Sequence, residues 1–261
     1  MNAEGGLRVE HDGGVRVLTI DRPTRRNALD SVTRTLLISE LDRAKNDPQV
    51  RVIVLTGAGD KSFSAGKDLH ELRDQTNAGQ RIDLPMGGVE RNLYECVLET
   101  YKPTIAALNG PAVGGGCELA LACDLRVMAD HAFFRLPEAM RGMGANVASV
   151  LLPQLLPRSV ALEMLYTARP MPADEALRWG LVNAVHPSAS LLEQALGLAR
   201  RIADNAPLTT RRYAEMAYKA WGQPMAAALR LDVGPNPYLS MDREEGVRAY
   251  LEKRQPQWRG E

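Results

Sequence analysis

Glu118 and Glu138 are the side chains of this chain best placed to move protons together. Glu118 follows the run Asn109-Gly110-Pro111-Ala112-Val113-Gly114-Gly115-Gly116-Cys117. Gly110-Pro111 ends whatever precedes it, and three glycines then present backbone without side chains. From Cys117 the pattern turns helical, with Leu119, Ala120 and Ala122 apolar. A glycine run that opens a helix leaves N–H groups uncovered at the positive end of the helix dipole, which suits a developing negative oxygen. Glu118 falls in the first turn, where helix capping is the alternative to chemistry. Glu138 follows Phe133-Phe134 and Pro137. A helix ending near Asp124 and a short strand over Leu125 to Ala129 double the chain back and face Glu138 towards Glu118. Two carboxylates beside an oxyanion-type site are what addition of water across an activated double bond requires. One takes the proton from water and the other delivers a proton to the adjacent carbon.

The run from Asn109 to Ala120, followed by Pro137-Glu138, resembles the enoyl-CoA hydratase/isomerase (crotonase) superfamily. The upstream segment Phe63-Ser64-Ala65-Gly66-Lys67-Asp68-Leu69 matches that family's other signature. The resemblance extends from Val15 to Trp258 and rests on several separated motifs in one order. It implies an α/β fold, the crotonase-like ββα spiral with a C-terminal helical trimerisation region. It implies that the backbone N–H groups of Lys67 and Gly115 form an oxyanion hole for a thioester carbonyl, with Glu118 as base and Glu138 as acid. Arg25, Arg26 and Ala28 then lie near the CoA phosphates and adenine, and Ala65, Asp68, Leu69 and His70 along the CoA. Tyr250 and Lys253 approach CoA, often from a neighbouring subunit. Arginine suits phosphate by bidentate binding; the plain alternative is a solvated surface pair.

The resemblance points to reversible syn hydration of a trans-2-enoyl-CoA to a 3-hydroxyacyl-CoA. Two glutamates argue against single-carboxylate isomerases, and an enoyl-CoA isomerase stays as an alternative. Where family hydratases commonly carry a Pro-Gly-rich turn, this chain has Arg141-Gly142-Met143-Gly144-Ala145-Asn146. That departure admits a carnitinyl, aromatic or branched enoyl-CoA. A degenerate acyl-CoA-binding scaffold is the non-enzyme alternative, and the intact glutamate pair counts against it. No cofactor is implied, since CoA is part of the substrate.

Other motifs carry less. Gly57-Ala58-Gly59 lacks the third glycine of a dinucleotide fingerprint, and the Gly114 triplet lacks the Lys-Ser/Thr of a phosphate loop. Cys96, Cys117 and Cys123 have no zinc-like spacing with the four histidines, so no metal site is expected. Met140, Met143 and Met164 suit core or acyl-pocket lining.

The positioning elements follow from periodicity. Leu7 to His11 and Val15 to Ile20 flank Asp12-Gly13-Gly14 as a hairpin. A helix is expected from Ser31 to Lys45, a buried strand from Val50 to Thr56, a helix from Val89 to Thr100 and a strand from Thr104 to Leu108. Gln75 to Gly88, polar and glycine-containing, reads as a loop near the site entrance. Val147 to Leu156 and Val160 to Tyr166 read as helices, and a further helix starts at Ala173. The pattern is almost wholly helical from Ser190 through Lys219 and again from Arg243 to Lys253. This divides the chain into a core, residues 1–190, and a helical oligomerisation and lid region, residues 191–261.

The 261 residues carry 32 basic and 32 acidic side chains, a formal net charge of zero. That balance gives no reason to propose nucleic acid or an anionic membrane as partner. Met1 to Asp12 shows no targeting pattern, and no apolar run reaches membrane-spanning length. A cytoplasmic homotrimer, or a dimer of trimers, acting on an acyl-CoA thioester is the resulting expectation.

Overall fold

The computed structural model describes residues 5–80, 86 and 88–261. Strands β1 (Leu7–Asp12) and β2 (Val15–Ile20) form the expected hairpin, pairing antiparallel from Leu7↔Ile20 to Asp12↔Val15. Helix α1 (Ser31–Asn46) is capped by Asp30, whose carboxylate accepts from Thr33 N, and it buries Leu37, Leu41 and Ala44. Strand β3 (Val52–Gly57) is buried along its whole length, as a parallel strand covered on both faces must be.

Helix α2 (Leu69–Asn77) absorbs the start of the expected entrance loop; residues 81–85 and 87 of that loop lie outside the described residues. Helix α3 (Leu93–Leu98) is shorter than the pattern suggested because Asn92 and Glu95 form a capping box that fixes its start. Strand β4 (Thr104–Leu108) joins the sheet beside β3. Next come the short strand β5 (Ala112–Val113), helix α4 (Gly115–Ala122) and strands β6 (Leu125–Ala129) and β7 (Phe133–Arg135). Helices α5 (Ala148–Leu155) and α6 (Arg158–Thr167), strand β8 (Met171–Pro172), helix α7 (Ala173–Arg178) and strand β9 (Ala184–His186) complete the core.

The large sheet runs β1-β2-β3-β4-β6-β9, all parallel after the hairpin, and a second sheet runs β5-β7-β8. This is the α/β crotonase spiral that the resemblance implied. Helix α8 (Leu191–Ala203) buries Leu191, Ala195, Ala199 and Ala203 against β2, β3, β4 and β6. The expected boundary at residue 190 is the start of this sheet-packed helix. The change in packing comes after Ala203, where α9 (Pro207–Ala220), α10 (Met225–Ala228) and α11 (Met241–Glu252) leave many apolar side chains in solvent. Among these are Tyr213, Met225 and Leu251.

Candidate active site

Two tight turns meet where the glycines allow it. The Ser64–Asp68 segment is held on one side by Ala65 N to Arg26 O (3.0 Å) and Leu29 N to Gly66 O (2.7 Å). On the other side Val113 N donates to Ser64 O at 2.9 Å. Gly66 has φ +78, and a Cβ there would lie 2.6 Å from Gly115 N and 2.7 Å from Val113 O. Glycine is therefore required for the two segments to approach so closely. Gly115 is the first residue of α4, whose leading N–H groups have no acceptor within the helix. Lys67 N lies 3.7 Å from where a Cβ on Gly115 would stand. The main-chain nitrogen of Lys67, after the Gly66 turn, thus lies close to the start of α4.

Pairing of β5 with β7 brings Glu138 back to the same place. The register Val113↔Arg135 sets the Pro137-Glu138 turn beside Gly114, and Gly114 N donates to Arg135 O at 2.9 Å. Glu138 opens a 3-10 turn (Glu138–Arg141), and a Cβ on Gly114 would be 2.8 Å from its Oε1. Its Oε2 is buried with no hydrogen-bond partner among the described residues. Burial, aided by the negative charge of Glu118, pushes its carboxyl above the usual range.

Glu118 is 7 % exposed and held quite differently. Its Oε1 accepts from Val147 N at 2.9 Å and Ala148 N at 3.0 Å, the leading N–H groups of α5. Burial raises its pKa, while these two donors and the Tyr94 hydroxyl oppose the rise. Burial thus raises both carboxyls, but Glu118 has two backbone donors on Oε1 whereas Glu138 Oε2 has no partner among the described residues.

Residues 10–261 match the family model described as enoyl-CoA hydratase/isomerase. The chain belongs to this family. Carnitinyl-CoA dehydratase from Escherichia coli (strain K12) is 40% identical over 262 residues, spanning 97% of this chain and 98% of that protein. An enoyl-CoA hydratase from Bacillus anthracis superposes with a TM-score of 0.89 at 33% identity, covering 98% of this chain and 100% of the other. An enoyl-CoA hydratase from Mycobacterium tuberculosis H37Rv gives a TM-score of 0.88 at 31% identity, covering 99% and 100%.

The family residues expected along CoA fall into three groups. Arg25 and His70 line an open groove of about 480 Å³ with Arg22 and the carboxylates Asp30, Asp68, Glu71 and Asp74; Arg26 is exposed next to it and Leu69 half-exposed. Ala28 is buried with its carbonyl accepting from Arg22 (2.6 Å), and Ala65 is part-buried in the Ser64–Asp68 turn. Asp68 is buried as the cap of α2 and pairs with Arg22 at 3.0 Å, an interaction that lowers its pKa against the opposing effect of burial. Tyr250 and Lys253 stand at the exposed end of α11, which packs chiefly on the Pro237–Leu239 turn. Met164 is core, whereas Met140 and Met143 are exposed near Glu138. No cluster of His, Cys, Asp or Glu among the described residues could hold a metal ion, and no described helix is long and apolar enough to cross a membrane.

Three participants escaped the sequence reading: Val147 and Ala148, which act through backbone N–H, and Tyr94. The apolar run from Val147 marks the start of α5, but nothing local ties its N–H groups to Glu118. Nothing local links Tyr94 to Glu118.

Proposed function

We propose that this family member catalyses reversible syn hydration of a trans-2-enoyl-CoA to the 3-hydroxyacyl-CoA. The observation that carries the reading is the asymmetry of the two carboxyls: Glu118 Oε1 with two backbone donors, and Glu138 Oε2 buried with no partner among the described residues. In the hydration direction the thioester oxygen lies against Lys67 N–H and Gly115 N–H. These draw charge from the conjugated alkene and make C3 electrophilic. Ionised Glu118 takes one proton from water as the water oxygen bonds to C3. Protonated Glu138 gives its proton to C2 as the enolate-like oxygen returns to a carbonyl. Net passage of one proton from Glu118 to Glu138 resets the pair, and dehydration runs the same steps backwards. Within the groove Arg25 is the group suited to the phosphate end of CoA, since Arg22 is paired with Asp30 and Asp68.

The carnitinyl-CoA dehydratase likeness and the Arg141–Asn146 departure favour a specialised acyl group within this chemistry. The segment leads directly into Val147 and Ala148, so acyl contacts and the hold on Glu118 share one piece of chain. The exposed apolar side chains of α9–α11 support assembly with further copies of the chain, as a trimer or a pair of trimers.

Purified protein should hydrate crotonyl-CoA or dehydrate carnitinyl-CoA in a panel varying length, branching and charge. Turnover that survives undiminished in both Glu118→Gln and Glu138→Gln would remove the mechanism. A wild type inert across the panel would favour an acyl-CoA-binding scaffold. Sedimentation velocity measures the assembly, and a monomer would remove the trimer proposal.

A further inference from the structure

Ser64 opens the turn that leads to Lys67, and it is fully buried, an uncommon place for a hydroxyl. The hydroxyl is employed in both directions. Its proton goes to Asn27 O at 2.8 Å, and its oxygen accepts from Gly66 N at 3.2 Å. A serine hydroxyl has one proton to give, so the chain of bonds runs one way, from Gly66 N through Oγ to Asn27 O. Asn27 is a stationary acceptor. It is buried at φ 55, in the left-handed region that asparagine tolerates better than most residues. Its side-chain amide donates to Ala58 O at 3.0 Å and Ser62 O at 2.7 Å, while Oδ1 accepts from Arg22 N at 3.1 Å. Its own N–H donates to Arg22 O at 2.9 Å. The Asn27 carbonyl therefore cannot turn without disturbing Arg22 and the loop 58–62 together.

What this anchors is Gly66, the residue before Lys67. Glycine resists backbone rotation least, so the bonds on either side of Gly66 have to set its angles. Its N–H is held by Ser64 Oγ, and its carbonyl accepts from Leu29 N at 2.7 Å. The Gly66–Lys67 peptide is planar and trans, so its C=O and N–H point opposite ways. With Gly66 O turned towards Leu29, the Lys67 N–H faces away from Leu29. Ser64 reaches the second donor segment too. Its carbonyl accepts from Val113 N at 2.9 Å, and a Cβ on Gly116 would collide with that same oxygen. The start of α4 thus rests on the Ser64 backbone, while the Ser64 hydroxyl holds the turn before Lys67.

We infer that Ser64 is a positioning residue, whose hydroxyl sets the tilt of the Gly66–Lys67 peptide and so aims the Lys67 N–H at the thioester oxygen. This rests on the reading of Lys67 N–H and Gly115 N–H as the oxyanion donors. The test compares wild type, Ser64→Ala and Ser64→Cys by steady-state hydration and by isotope-edited infrared spectra of bound butyryl-CoA labelled at its thioester carbonyl. That thioester has no double bond to hydrate, so its spectrum reads polarisation apart from proton transfer. Two N–H donors weaken the carbonyl bond, and binding to wild type should move its stretch to lower frequency. In Ser64→Ala most of that downshift should be lost. Its kcat should fall roughly three- to tenfold, the scale of one uncharged hydrogen bond, with KM little changed. A thiol donates and accepts only weakly, so Ser64→Cys should fall between the two. The full wild-type downshift in either variant would overturn the inference, whatever the loss of Tm, because the hydroxyl would then serve only the fold. A wild type that leaves the carbonyl at its free frequency would instead remove the oxyanion reading itself, and this inference with it.

Discussion

Helices α4 and α11 each carry a glutamate with several hydrogen-bond partners, and they give it opposite characters. In α4 every residue from Gly116 to Ala122 is buried, and Glu118 loses water without gaining a cation. Its neighbours are neutral donors, and burial still lifts its pKa. In α11 only Asp242 and Ala249 are buried. There Glu245 accepts from Arg254 at 2.6 and 3.0 Å and from Gln257 N at 2.8 Å, and its carboxyl is pulled down to about 2. Little of Glu245 is exposed because the guanidinium lies over it, and the site remains at the surface. The same residue type thus has its carboxyl raised in one place and lowered in the other. What separates them is whether the compensation for lost water is a set of dipoles or a full opposite charge.

The largest expected effect that bears on this contrast is Glu118→Gln, which should lower hydration turnover by roughly 10²–10⁴-fold, the range for a positioned base. Glu245→Gln should leave turnover unchanged. Comparable losses in both, measured by steady-state assay, would break the comparison.

Next is Gly66→Ala. A methyl group at φ +78 would press on Gly115 N and Val113 O and part the two turns. We expect a loss of roughly 10²–10³ in kcat, the scale of one oxyanion donor, and a lower Tm.

A stability effect of opposite sign follows for Glu138→Gln. The folded carboxyl holds its proton more tightly than the unfolded chain does, so wild-type stability is highest at low pH and declines as pH rises through the raised value. The variant lacks that decline. Its Tm should exceed that of wild type by roughly a few degrees at pH 8, and the gain should close as pH falls towards 4.5, the ordinary value. A thermal-melt series across pH checks both ends; a Tm below wild type at pH 8 would contradict the idea that Glu138 is unsupported.

The smallest effect sharpens the other half of the contrast. Surface ion pairs contribute little, so Glu245→Gln should melt indistinguishably from wild type at pH 7. The depressed carboxyl stabilises the fold above its unfolded value, and that contribution fades as pH falls towards about 2. Any difference between wild type and Glu245→Gln should therefore disappear, not grow, in acid.

Much of this was legible locally. The hairpin at Asp12-Gly13-Gly14, the continuous apolar β3 and the glycine triplet that opens α4 each follow from turn chemistry and periodicity. The strand over Leu125–Ala129 that returns the chain to Glu138 follows in the same way. Two misjudged lengths have local causes that periodicity does not weigh. The capping box starts α3 at Leu93, and Pro207 starts a new helix after Asp204–Ala206 interrupt the expected helical run. The boundary after α8 depended on small residues, Ala195, Ala199 and Ala203, lying flat on the sheet, which composition alone does not reveal.

By itself the sequence determined which side chains could exchange protons and where the backbone had to be glycine, because both are properties of single residues and short spacings. It also carried the family likeness, since the motifs occur in order along the chain. Only the tertiary structure decided that Glu118 is served by Val147 and Ala148 while Glu138 Oε2 has no partner among the described residues. Protonation depends on water lost and donors gained through space, and those donors come from a segment 29 and 30 residues beyond Glu118.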